Sequence, residues 1–210
     1  MKNVLLVLAV LIAVSSIFTG QAAAFTHYTE NEFKTAESLD PGLTQTGINF
    51  TIGDHYKSYY PEIRYGLGAM MEFGLKFGAT AASMAGEDKL GALIGADLKY
   101  QLVKETEGVP VDLAVDLSLN NTIIESKNAS EITFATIVSK SIPLTDRGYK
   151  FIPYGGLAMS AQYGSLPPAD DTYVNMIVGF QWKLSQKFMI LFEVKAGDRT
   201  TGGAGIRFEY

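Results

Sequence analysis

The 210-residue chain carries 17 Lys and Arg against 22 Asp and Glu, a formal net charge of −5, and no cysteine. The length suits one domain, and an acidic balance without a basic run argues against a nucleic-acid partner. The lack of thiols excludes a disulfide framework and a lipoprotein anchor, and 21 Gly, 12 Phe and 11 Tyr suit a β-protein with tight turns.

Residues 1–24 have the layout of a secretory signal peptide. Lys2 supplies the positive start, residues 4–14 are apolar, and Ala22-Ala23-Ala24 offers a small-residue cleavage pattern near Ala24. The apolar run is short of the roughly 18–20 residues that a spanning helix needs. Residues 25–42 are polar, show no period of two and end at the turn marker Pro41-Gly42. They are expected to form an irregular N-terminal lead on the periplasmic side, with solvated acidic residues.

From residue 43 to 210 the chain alternates. Residues 111–121 show it best: Val111, Leu113, Val115, Leu117 and Leu119 fall on one face, and Asp112, Ala114, Asp116, Ser118 and Asn120 on the other. Successive side chains of an extended chain point to opposite sides, so this is a strand with one oily and one wet face. Similar segments are expected over residues 43–53, 59–68, 71–80, 90–103, 132–144, 151–163, 172–184, 188–196 and 202–210. The segment at 151–163 is the least clean, because Ile152 and Tyr154 sit on its wetter side. Each segment is about long enough for a tilted strand to cross a bilayer. The connections are expected to alternate between short turns, as at Ala69-Met70 and Ser185-Gln186, and longer polar loops, as at residues 54–58, 81–89, 122–131 and 164–171. That asymmetry is expected of a barrel with short turns on one side of a membrane and long loops on the other.

A soluble sheet also alternates, so the direction of the oily face needs further argument. The wet face carries both charge signs at mid-strand: Arg64, Glu72, Lys76, Asp97, Lys99, Asp112, Asp116, Glu193, Lys195 and Arg207. It is also rich in glycine, which suits a narrow lumen filled by ion pairs. Cross-strand pairs drawing on Arg64, Lys76, Lys99, Asp97, Asp112 and Asp116 are expected, because a buried charge is costly unless paired or hydrated. Aromatic residues near segment ends, among them Tyr59, Tyr60, Tyr65, Tyr100, Tyr149, Tyr163, Tyr173, Trp182 and Phe188, suit interfacial girdles. The expected fold is a closed antiparallel transmembrane up-and-down β-barrel of about ten strands, with eight or twelve as alternatives.

The final GIRFEY alternates and ends on an aromatic residue. Ile206, Phe208 and Tyr210 resemble the C-terminal signature of small Gram-negative outer-membrane β-barrel proteins, the outer membrane protein β-barrel superfamily. The elements PEIRYGL, MEFGLKFG and GADLKYQL are similar to that class as well. The resemblance implies export, insertion by the barrel assembly machinery, contact with outer-membrane lipid and a monomeric barrel.

Little else carries chemistry. His27 and His55 are isolated, and Asp54 and Ser58 beside His55 match no catalytic pattern, since a general base needs an oriented nucleophile in reach. Two lone histidines make no metal set. Glu87-Asp88 and Asp170-Asp171 read as solvated loop carboxylates, and no cofactor is expected. The Gly202-Gly203-Ala204-Gly205 run is followed by no helix that would make it a phosphate loop. The expected function is an integral outer-membrane barrel, structural or surface-interacting, with a plugged or narrow polar lumen and not an enzyme. A membrane-embedded lipid A-modifying enzyme and a soluble periplasmic β-protein are the alternatives.

Overall fold

The computed structural model describes residues 30–53, 56–84, 87–144, 149–166 and 171–210. The expected signal peptide lies outside these residues. The described chain forms β1 (Thr44–Gly53), β2 (Tyr56–Gly68), β3 (Met71–Met84), β4 (Glu87–Val103), β5 (Asp112–Ile124), β6 (Lys127–Ser139), the two-residue β7 (Ile142–Pro143), β8 (Lys150–Gly164), β9 (Asp171–Lys183), β10 (Phe188–Gly197) and β11 (Thr201–Glu209). Consecutive long strands pair antiparallel, β6 pairs with β8 past the short β7, and β1 pairs with β11. The sheet therefore closes on itself as a ten-strand up-and-down barrel, and closure leaves none of the ten long strands as a free edge.

The alternation in the sequence sets which way each strand faces. Ile48, Ile63, Leu75, Ile94, Leu119, Phe134, Met159, Val174, Phe192 and Ile206 are all exposed on the outer wall. Arg64, Glu72, Asp97, Asp116, Glu193, Lys195 and Arg207 are at most 3% exposed and point inward. A protein folded in water would not expose its largest apolar side chains and bury its charges. The outer wall also carries aromatic pairs such as Phe50–Tyr59 at 4.6 Å and Phe188–Phe208 at 5.1 Å between ring centroids.

One end of the barrel, here the near end, holds Thr44, the β2–β3 turn and Glu209; the far end holds the β1–β2 and β5–β6 hairpins. At the near turn Ala69 and Met70 have φ of +49° and +64°. Positive φ at both central residues marks a type I′ turn, whose twist matches the flanking strands. The expected contrast between short turns and long loops does not hold. The polar stretches around residues 81–89 and 122–131 continue the strand ladder, with Ser83 opposite Asp88 and Ile124 opposite Lys127. Polar residues there pair their backbones across the hairpin instead of forming loops. The longer connection between β4 and β5, residues 104–111, and the described residues on either side of β7 sit at the near end.

Candidate functional site

The lumen is occupied by the chain's own N-terminal segment. Glu30, Asn31, Glu32, Phe33, Lys34, Thr35 and Ala36 are buried, although their sequence reads as a solvated lead. This corrects that expectation for residues 30–39, and the physical reason is the set of partners on the wall. Leu39 N–H donates to Glu72 at 2.9 Å near the β2–β3 turn, and Glu30 accepts from Ser58 Oγ at 2.7 Å near the start of β2. The segment thus runs lengthwise through the barrel, from the near end toward the far end.

Its backbone is held where no second strand is available. Glu193 on β10 accepts the N–H of Glu32 at 2.7 Å and that of Phe33 at 2.6 Å, one on each carboxylate oxygen. Phe33 has φ of +50°. Alternating the sign of φ turns successive N–H groups to one side and forms a concavity for an anion. Tyr154 braces the same carboxylate with an O–H donation of 3.0 Å. Further along, Ala36 N–H donates to Ser139 Oγ at 3.0 Å and Ser38 N–H to Gln101 Oε1 at 2.9 Å. Lys99 Nζ donates to the carbonyls of Thr35 at 2.8 Å and Glu37 at 2.7 Å.

Charge binds the segment as tightly. Lys34 Nζ lies 2.7 Å from Asp116, 3.0 Å from Asp97 and 3.3 Å from Glu32. Lys195 pairs with Glu32 at 2.9 Å and donates to the Glu30 carbonyl. Arg64 is the hub on the wall. Its guanidinium reaches Glu62 at 2.5 Å, Glu72 at 2.7 Å and Asp97 at 2.7 Å, the last through both terminal nitrogens. Glu62 also takes Arg207 at 2.6 Å, and Glu72 takes Lys99 at 3.2 Å. A cluster of this kind is tolerable in a buried site because nearly every charge has an opposite neighbour and extra hydrogen bonds.

The predicted wall residues are therefore brought together, but with different partners. Lys76 stands over the Tyr60 ring, 5.4 Å from its centroid, and Asp112 accepts from Gln101 at 2.8 Å and Glu105 N–H at 2.7 Å. Among the described residues neither makes the cross-strand ion pair expected of it. Asp116, Glu193 and Lys195 spend their charge on the inner segment, which pattern reading of strands does not reveal. Tyr60 and Tyr173 face the lumen, not the girdle, at 1% and 2% exposure, because their positions fall on the inward phase of β2 and β9. Ile206, Phe208 and Tyr210 face outward. Inward apolar residues cover the segment's own apolar atoms: Phe33 packs with Tyr60, Leu93, Met189 and Leu191, and Ala36 with Ile137, Tyr154 and Ile177. The run FMILF at 188–192 carried that signal, since apolar residues on both faces of a strand require cover on both faces. Both histidines and Asp170 lie outside the described residues.

A closed antiparallel barrel with an apolar exterior and a charged, filled interior defines a transmembrane β-barrel of the outer-membrane type. No protein-family model and no curated protein sequence matches the chain. Among solved structures it is similar to the N-terminal β-barrel domain of OprF from Pseudomonas aeruginosa, at 14% identity and a TM-score of 0.40, covering 82% of this chain and 100% of that one. It is also similar to an outer-membrane channel from Pseudomonas putida F1 (12%, 0.44, 88% and 100%) and to the β-domain of the Bordetella autotransporter BrkA (14%, 0.45, 80% and 98%).

Proposed function

We propose that the protein is an integral outer-membrane barrel whose lumen is closed at rest by residues 30–39, with ion passage only when that segment leaves. The clasp of Glu193 on the Glu32 and Phe33 N–H groups is the observation that carries this reading. Ten strands enclose a lumen near the size that side chains can fill, far below the roughly 16 strands of open porins. A peptide seated in such a lumen takes up space that water and ions would otherwise use. Among the described residues, the wall without the segment buries seven carboxylates, Glu62, Glu72, Asp97, Asp112, Asp116, Glu131 and Glu193, against five cations, Arg64, Lys76, Lys99, Lys195 and Arg207. An emptied lumen would therefore favour cations.

Planar-bilayer recording tests the reading. The full chain is expected to show no steady conductance, and deletion of residues 30–39 to open a small cation-preferring one. Equal, steady conductance from both proteins would overturn it. Membrane fractionation addresses the location, since recovery in the soluble periplasm without detergent contradicts an integral barrel. Lipid A with unaltered acylation after His55→Ala is expected, as the barrel reading assigns that residue no chemistry.

A further inference from the structure

A second polar feature lies at the near mouth, below the inner segment. A cavity of about 210 Å³ opens there between β8, β9, β11 and residues 34–40, lined by Lys150, Gln181, Lys183 and Arg207 on the strand side. Lys150 and Lys183 are register partners on adjacent strands. Like charges directly opposite each other in a sheet repel. Glu209 meets Lys183 at 2.9 Å, whereas Lys150 has no ion-pair partner among the described residues. Arg207 adds an independent observation. It is 3% exposed and lines the same cavity, and its Nε is buried without an acceptor while the terminal nitrogen serves Glu62. A buried charged donor left unmatched is costly.

Apart from Glu209 at Lys183, the carboxylates on the cavity do not pair with Lys150 or the Arg207 Nε. Glu72 is taken by Arg64 and Lys99, and Glu209 by Lys183 and Gln45. Glu37 and Asp40 also line the cavity without an ion-pair partner among the described residues, but the lining as a whole carries six cations, Lys34, Lys99, Lys104, Lys150, Lys183 and Arg207, against four carboxylates. We propose that the near-mouth cavity binds a small soluble oxyanion, a carboxylate or phosphate, between Lys150, Lys183 and Arg207, with Gln181 as an added donor. The planar guanidinium suits an oxyanion edge, and the two lysines supply point charges beside it. The site needs no movement of the inner segment.

The test uses the full chain in dodecyl maltoside, a detergent without phosphate. Inorganic phosphate and succinate are titrated separately by calorimetry, at low salt so that screening does not hide the interaction. One saturable site per chain is expected for at least one of them. Lys150→Gln and Lys183→Gln are each expected to weaken it about tenfold, the loss of one charge-assisted contact. Lys127→Gln, at the far end, is expected to leave it unchanged. A heat-dependent shift in gel migration reports that every variant is folded. Absence of saturable binding to both anions, or binding indifferent to both lysine variants, would overturn the proposal. So would tighter binding of dihexanoyl phosphatidate than of inorganic phosphate, which would assign the site to a lipid headgroup.

Discussion

Glu193 holds two consecutive main-chain N–H groups of a segment some 160 residues earlier in the chain. It is one anchor among several, beside the Lys34–Asp116 and Lys195–Glu32 pairs and the Lys99 contacts, but it alone takes two adjacent backbone donors of the segment. Glu193→Ala removes both acceptor oxygens and leaves the N–H groups of Glu32 and Phe33 buried without partners, at about 1–3 kcal/mol each. The variant is expected to flicker open in bilayer recordings where the parent stays closed. Glu193→Gln, which keeps one acceptor oxygen, should fall between the two. Arg64 acts differently, because it ties three strands and not the segment. Arg64→Met leaves Glu62, Glu72 and Asp97 facing each other without their common cation, at about 3–5 kcal/mol. A lower urea midpoint in micelles, with closed-state recordings unchanged in whatever fraction stays folded, is the expected result. At this scale the sequence was legible for identity and orientation but not for partners. The alternation located Asp116 and Glu193 on the wet face, yet nothing local to them shows that Lys34 and the Glu32–Phe33 backbone are what they meet.

Among the elements, the strands were legible because hydrophobic alternation is a local property, and their ends were not. Residues 81–84 and 127–131 read as loop, but their backbones pair across the hairpins and extend β3 and β6 to the far end. The segment at 151–163 looks irregular for a real reason: Ile152 and Tyr154 are buried facing inward, and Tyr154 braces the Glu193 carboxylate that holds the inner segment. The β2–β3 turn is another case where local chemistry and conformation disagree. Alanine and methionine rarely adopt positive φ, and Asn-Gly is the favoured pair for a type I′ turn. Replacing Ala69 by Asn and Met70 by Gly is expected to raise the urea midpoint by an equivalent of about 0.5–1 kcal/mol. Gly203 on β11 is the close approach that lets the segment seat. A Cβ there would stand 2.5 Å from Phe33 Cζ and 2.5 Å from the Phe50 carbonyl oxygen on β1, so a larger residue also strains the β1–β11 seam. Gly203→Leu is expected to evict the Phe33 ring and raise open probability. Phe33→Ala tests the same contact without adding bulk to the strand, and it should open the barrel less often than the leucine variant does.

Taken as one object, the molecule is a cylinder turned inside out, filled from within by its own leading segment. The closed barrel and its facing follow from repeated alternation, which is why they could be read from residues 43–210 alone. The filling could not, since an irregular polar stretch has no period to betray where it docks. Such a cylinder is stable only where its apolar wall meets hydrocarbon. Trp182 is the only tryptophan of the chain and sits on the outer wall near the near end, 43% exposed. Its fluorescence in reconstituted vesicles therefore reports one known position. Lipids brominated along the acyl chain are expected to quench it strongly, while aqueous iodide leaves it nearly unchanged. Quenching by iodide with indifference to brominated lipid would place that wall in water and contradict the account.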